Sequence, residues 1–395
     1  MGILSPFSTP RRYIALVVVT VISIHYILAT SSTRADYGPS LANLKAKLQL
    51  SGSSSNTTVS TAVDSYRPTS TQPYRGTPNL SPGRRANATF VFLCRNSDIN
   101  GVVASIQSME DRFNKKYHYP WVFLNDEPFT EEFKQRVSVL TDAPLSFGLI
   151  PAEHWVQPDW IDEDRARRGR MQMMSQRIIY GGSVPYRNMC RFNSGFFFKH
   201  ELLQPHRYYW RVEPSVNFFC NMEYDPFVYM EDHDKVYSFT ISLEEHEPTV
   251  ATLWDSVKEF MTEYPHFIEP QNSMQFLSND GGNRYNMCHY WSNFEIADMD
   301  FWRGEAYSKF FEFLEAKGGF YYERWGDAPV HSIAASLFAR PDQIHFFRDI
   351  GYRHENFQHC PSGAQWSQGR CACDPNDSFD YSDHSCLRRF EGMFQ

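Results

Sequence analysis

The chain has 395 residues, 42% hydrophobic and 16% aromatic, with a formal net charge of −8. That is enough apolar material for a large core, in one domain or two. The negative balance excludes a phosphate-tracking nucleic-acid surface, which needs clustered Lys and Arg, but not a small anionic ligand held by one or two bases.

Arg11 and Arg12 precede an apolar run over residues 13–29, in which His25 is the only strongly polar member. The run is near the lower limit for spanning a bilayer, roughly 17–25 residues. It is long for the apolar part of a cleavable signal, about 7–15 residues. The expectation is an uncleaved signal-anchor with residues 1–12 in the cytosol. Residues 30–85 shift to Ser, Thr, Pro, Asn and Gly. Such a stretch buries too little apolar surface to offset its ordering entropy, so it reads as a flexible stem. Sequons at Asn56, Asn79, Asn87 and Asn376 agree with a luminal location.

A folded domain is expected over residues 86–395. Residues 88–94 form a continuous apolar run, as in a buried parallel strand, with Arg95 at its carboxyl end. A helical pattern (102–113), a strand (119–124), a helix (131–140) and a short strand (145–150) follow. This alternation predicts a mostly parallel α/β sheet. No Gly-x-Gly-x-x-Gly or Walker sequence occurs where it would be needed, which argues against dinucleotide-binding and P-loop folds.

Residues 165–180 read as a basic, Met-rich helix. Tyr186-Arg-Asn-Met-Cys-Arg-Phe-Asn-Ser-Gly-Phe-Phe-Phe198 comes next. Arg187 and Arg191 are four apart, on one face of a helix. They read as a base pair for a diphosphate or as ordinary surface charges.

Arg207-Tyr-Tyr-Trp-Arg-Val-Glu-Pro-Ser215 reads as a buried strand stopped by Pro214. Ligands of open α/β sheets bind beyond the carboxyl ends of strands. Glu213 therefore stands where a sheet presents a carboxylate to a ligand or metal. The plainer alternative pairs it with Arg211.

Residues 236–241 read as a strand and 249–264 as a helix. In Arg284-Tyr-Asn-Met-Cys-His-Tyr-Trp-Ser-Asn-Phe-Glu295-Ile-Ala-Asp298, an extended segment would put Trp291, Asn293 and Glu295 on one face. An indole, an amide and a carboxylate together suit sugar recognition. A helix over 301–317, ended by Gly318-Gly319, leads to Tyr321-Tyr-Glu-Arg-Trp-Gly-Asp327-Ala-Pro-Val-His331. Asp327 is either a site carboxylate or the cap of the helix over 330–338. Residues 343–347 form a last strand. His354 follows in loop context and is a metal-ligand candidate.

Of the eight cysteines, Cys360, Cys371, Cys373 and Cys386 crowd the C-terminal end. They are expected to pair mostly among themselves. Cys-x-Cys lacks the usual spacing for zinc. Cys94, Cys190 and Cys288, in apolar contexts, are expected to be buried free thiols.

Four stretches, Tyr186-Arg-Asn-Met-Cys-Arg-Phe-Asn-Ser-Gly-Phe-Phe, Tyr209-Trp-Arg-Val-Glu-Pro, Tyr285-Asn-Met-Cys-His-Tyr-Trp-Ser-Asn-Phe-Glu-Ile and Trp325-Gly-Asp-Ala-Pro-Val-His-Ser, closely resemble the fungal Golgi α-1,2-mannosyltransferases of glycosyltransferase family 15. The resemblance runs in order from about Ala88 to Gly392 and includes the anchor and stem. It implies a type II Golgi membrane protein with a GT-A-like fold. It also implies GDP-mannose as donor, a mannose-terminated acceptor, Mn²⁺ as cofactor, and an α-1,2 bond formed with retention. Glu213 then takes the position of the usual Asp-x-Asp metal site, and His354 would supply a second ligand. Tyr186 and Arg191 would meet the diphosphate, and Arg95 the nucleotide. Glu295 is the residue nearest in role to a nucleophile, and Asp327 would orient a sugar. Retention can come from double displacement or from a same-face reaction, and Glu295 fits both. The competing readings are a retaining glycosidase, a silent mannoside-binding protein and a mannosylphosphate transferase using the same donor.

Overall fold

The computed structural model describes residues 64–66 and 84–395. The cytosolic tail, the anchor and, apart from residues 64–66, 84 and 85, the stem expected over 30–85 lie outside the described residues. Within those described, no helix is long and apolar enough to cross a membrane.

The strands in chain order are β1 (Asp64–Tyr66), β2 (Ala88–Leu93), β3 (Trp121–Asn125), β4 (Leu145–Leu149), β5 (Tyr208–Val212), β6 (Asn217–Phe218), β7 (Tyr237–Phe239), β8 (Ser242–Glu244), β9 (Cys288–Tyr290), β10 (Ile296–Asp298), β11 (Ile344–Phe346), β12 (Tyr352–His354) and β13 (Phe357–His359). Eight of them form one mixed sheet in the order β1-β4-β3-β2-β5-β10-β7-β11. The block β4-β3-β2-β5 is parallel, as the strand–helix alternation predicts. β10 runs antiparallel to both β5 and β7. That reversal matters for the site. β10 enters the sheet at the edge where β5 leaves it, so Glu295, just before β10, stands beside Arg211. The Arg211 amide donates to the Glu295 carbonyl at 3.0 Å.

Two cores cover the sheet. Phe90, Phe92, Trp121, Phe123, Tyr208, Trp210 and Val212 fill one face. Val91, Val122, Leu124, Tyr209, Tyr237 and Phe239 fill the other, under the helices Leu253–Glu263, Glu305–Lys317 and Asp327–Phe338. The period-2 rule explains the split: successive side chains of one strand point to opposite faces. Aromatic stacking is dense, with Phe90 and Trp121 ring centroids 4.3 Å apart and Phe123 and Phe147 5.1 Å apart.

The structure corrects four expectations. Residues 291–295 are not an extended segment but a turn between β9 and β10, so Trp291, Asn293 and Glu295 do not share a face. The Ser-Asn pair at its tip favours a turn over a ladder. Residues 352–354 are a strand rather than a loop, in a small sheet β13-β12-β6. The helix expected over 301–317 is broken at Gly304 into Met299–Arg303 and Glu305–Lys317. The cysteines also pair differently: only Cys360–Cys373 lies within the C-terminal group. Cys371 reaches Cys220, 151 residues away, and Cys386 reaches Cys288, 98 residues away. Cys288 is therefore not a free thiol, whereas Cys94 and Cys190 are buried and free. The tail is thus tied to the body of the domain, not stapled only to itself.

Candidate active site

On β5, Tyr209 and Arg211 lie two apart on one face, and Glu213 continues the period just beyond the strand. Their opposite-face neighbours Trp210 and Val212 are wholly buried. β5 thus carries one polar row on an otherwise apolar strand. A buried arginine in such a row is costly unless paired. Arg211 is paired twice: Nη1 donates to Asp327 Oδ2 at 2.5 Å and Nη2 to Glu213 Oε1 at 2.5 Å.

Glu213 leads into a tight turn at Pro214 and Ser215, the latter at φ +65°. The helix Ile99–Met109 cradles this turn. Ser105 Oγ lies 2.8 Å from the Glu213 carbonyl and accepts from the Val216 amide at 3.0 Å. A Cβ on Gly101 would stand 3.0 Å from Pro214 Cβ and 3.1 Å from the Ser215 amide nitrogen, so the absence of a side chain there eases this approach. β6 then pairs with β12, Arg353 opposite Asn217, and this carries His354 back to Glu213. His354 Nε2 is 3.3 Å from Glu213 Oε2. The Trp291 ring stands edge-on to His354, centroids 5.0 Å apart.

The electrostatics follow from these contacts. Burial alone would raise the Glu213 carboxyl, but Arg211 and then His354 outweigh it and hold it down to about 2. Burial lowers the His354 imidazole, yet the Glu213 bond leaves it above its ordinary value. Asp327 is likewise kept below the carboxylate range: burial opposes ionisation, and Arg211, His331 and Ser292 favour it more. Arg211 is correspondingly pushed further up.

Asp327 does not cap a helix. It is the first residue of Asp327–Phe338, Gly326 is the N-cap, and no side chain caps that end. Its carboxylate instead takes Arg211 and Ser292 Oγ, the latter at 2.7 Å.

Glu295 is 1% exposed. Tyr209 OH donates to its Oε1 at 2.6 Å, and His331 Nδ1 lies 3.1 Å from its Oε2. With Val91, Leu93, Asn193, Phe197, Tyr209 and Arg211 it lines a small pocket. A carboxylate at the wall of a mainly apolar cavity can stabilise a developing positive charge, because the local dielectric is low.

The remaining candidates scatter. The Tyr186 ring stacks on Tyr180 at 4.4 Å, and Arg324 lies over it at 5.2 Å. Burial keeps its phenol protonated, with the Asp327 and Glu245 charges acting in the same direction. Arg95 is exposed at the end of β2. Arg187 and Arg191 do share the helix Val184–Gly195, but neither joins the cluster. Arg187 donates to the carbonyls of Glu323 and Ser183 at 2.9 Å each, and Arg191 pairs with Glu315 at 2.7 Å. Sequence reasoning offered Arg211 only as a plain partner of Glu213, a pairing the structure bears out, and passed over Tyr209 and His331 as site residues. An arginine inside a wholly buried strand was the readable signal for Arg211.

No three or more His, Cys, Asp or Glu side chains among the described residues converge into a metal cage. Glu213 and His354 are the pair that could hold a divalent cation. His354 Nδ1 is buried without a partner.

The profile of the family described as "Glycolipid 2-alpha-mannosyltransferase" matches residues 42–394. The chain is 50% identical to O-glycoside alpha-1,2-mannosyltransferase omh1 of Schizosaccharomyces pombe, over 80% of each chain. The mannosyltransferase Ktr4p of S. cerevisiae, solved in complex with GDP, superposes with a TM-score of 0.75 at 40% identity, covering 78% of this chain and 82% of that one. Core-mannan synthase A of Aspergillus fumigatus, solved in a Mn/GDP form, gives 0.74 at 38%, covering 85% and 99%. The four stretches that resemble family 15 frame the Arg211 cluster and Glu295, and with a profile matched over most of the length the chain belongs to the glycolipid 2-alpha-mannosyltransferase family of fungal glycosyltransferases.

Proposed function

We propose that this chain is a retaining α-1,2-mannosyltransferase of the Golgi lumen that moves mannose from GDP-mannose to mannose-terminated glycan acceptors. The observation that carries the reading is the joining of two carboxylate sites through one guanidinium. Arg211 links Glu213, paired with His354, to Asp327, and itself lines the pocket walled by Glu295. The solved relatives with GDP and with Mn/GDP support the donor and the cation.

Glu213 and His354 are the residues that would hold Mn²⁺. Their carboxylate and imidazole donors suit that ion, and phosphate oxygens of the donor would complete its shell. When bound, the ion supplies Lewis-acid stabilisation of the leaving diphosphate. Tyr186, held protonated, donates a hydrogen bond toward the diphosphate, and Arg95 at the end of β2 meets the nucleotide. Asp327, its charge fixed by Arg211, accepts from a sugar hydroxyl and orients that sugar. Glu295 faces the anomeric carbon and stabilises its developing positive charge. It can serve in the same-face route or in the double-displacement route. Residues 13–29 anchor the protein, and the acceptor is an O- or N-linked chain.

The test is transfer by the purified chain from GDP-mannose to methyl α-mannoside with Mn²⁺, with NMR of the product. An α-1,2-linked disaccharide is expected. A product heavier by a hexose phosphate would replace this reading with mannosylphosphate transfer. Binding without turnover would make the protein a lectin.

A further inference from the structure

His331 is wholly buried, and both of its ring nitrogens face oxygen. Nε2 lies 3.1 Å from the Asn193 carbonyl and Nδ1 3.1 Å from Glu295 Oε2. A carbonyl can only accept, so Nε2 carries a hydrogen. The second contact then needs a proton between imidazole and carboxylate. The other carboxylate oxygen cannot hold it. Trp302 Nε1 donates to Tyr209 OH at 3.0 Å, which turns the Tyr209 hydrogen onto Glu295 Oε1 at 2.6 Å. The Trp302 ring also stacks on His331, centroids 4.4 Å apart, and fixes its plane.

We propose that His331 is a positioning residue that holds this proton as an imidazolium and so keeps Glu295 a buried carboxylate, aimed at the pocket. The inference rests on the transferase reading for its purpose, not for its geometry. Charged and titratable groups face the pair from several elements. Tyr209 and Arg211 on β5 both favour a charged Glu295. Tyr237 on β7 and Tyr307 on the helix Glu305–Lys317 are neutral phenols, held so by burial first and by the Glu295 charge second. Asp327, one turn before His331 on its own helix, favours a charged ring. An unpaired carboxylate in this apolar wall would take up a proton and lose the charge that an oxocarbenium-like state needs. The imidazolium prevents that without occupying the pocket.

The experiment uses the whole chain with ¹⁵N-labelled histidine rings. His331 is identified among the 14 histidines by subtracting the spectrum of His331→Gln. At pH 7, both ring nitrogens of His331 are expected to resonate as N–H. In Glu295→Gln, the Nδ1 signal should move to that of a bare nitrogen. In transfer assays, His331→Gln keeps a hydrogen-bond donor but no charge. Its kcat should fall about tenfold at pH 6.5, with the acid limb of the kcat profile moved up by roughly one pH unit, the shift equivalent to a tenfold change. Its donor KM should stay close to that of the native chain. A neutral His331 at pH 7, or a spectrum unchanged by Glu295→Gln, overturns the proposal. So does a His331→Gln profile that overlays the native one. The NMR result stands whether or not mannose is the transferred group, so failure here and failure of the proposed function are separable.

Discussion

Two carboxylates of the site, Glu213 and Glu295, live in opposite settings. Glu213 is at a rim, with its side chain 23% exposed, beside a histidine and an arginine. Glu295 is 1% exposed and fastened by Tyr209 and His331 from two elements. The first can exchange partners, as the cation-binding role proposed for it requires. The second cannot, which suits the role proposed for it in the transition state. On that proposal, the difference teaches that the division between binding and turnover is built into the sheet. The rim belongs to the carboxyl end of the parallel strands. The fixed carboxylate stands just ahead of β10, the antiparallel strand inserted between β5 and β7.

The largest expected effect breaks the buried side. Glu295→Gln should fold and lose about 10²-fold or more in kcat, the order seen when a preorganised charge-stabilising group is removed. Its donor KM should change little, since the loss falls on the transition state. Steady-state kinetics with varied GDP-mannose check this, and a Gln variant with normal kcat would leave Asp327 as the carboxylate to test next.

A smaller effect separates both regions from the scaffold. The Cys288–Cys386 bridge ties the start of β9, ahead of the Glu295 turn, to the C-terminal end. Replacing both cysteines by serine should cost about 2–5 kcal/mol of stability, as for native disulfides in secreted domains. Denaturant midpoints measure it. Removing Cys94, free and buried, closes no loop and should show none of that loss.

The smallest effect concerns the link between the regions. Asp327 has a depressed pKa in the folded state, through Arg211 above all among its partners. Its contribution to stability is therefore present above the ordinary carboxylate pKa, about 4, and is lost as pH falls below it. Native chain and Asp327→Asn should differ in urea midpoint at pH 7, and the gap should narrow by pH 3. A gap independent of pH would mean that Asp327 acts by shape rather than charge.

Much of the site was legible because it follows local rules. Pro214 ends β5, so Glu213 had to stand at a strand end. The apolar alternation of β5 and the run 88–94 gave the parallel block. His354 was legible as a candidate but not as a strand residue, because β12 is only three residues long and exists through its pairing with β6 and β13. The turn at 291–295 was misread because its aromatic residues favour strands, and tertiary contacts decide otherwise: Trp291 packs on His354, and Tyr352 OH donates to Asn293. Arg191 was misgrouped because four-residue spacing says which face a side chain shares but not what that face meets. It meets Glu315, 124 residues later. Disulfide partners 98 and 151 residues apart leave no local trace in the chain.

The division of labour is tested most directly by calorimetric titration of Mn²⁺–GDP into Glu213→Gln and Glu295→Gln, side by side with the native chain. Glu213→Gln should bind at least tenfold more weakly, a loss in the range seen when groups supporting a metal are removed, about 10–100-fold. Glu295→Gln should bind with native affinity. Equal weakening of the two variants, or native binding by Glu213→Gln, would contradict the account.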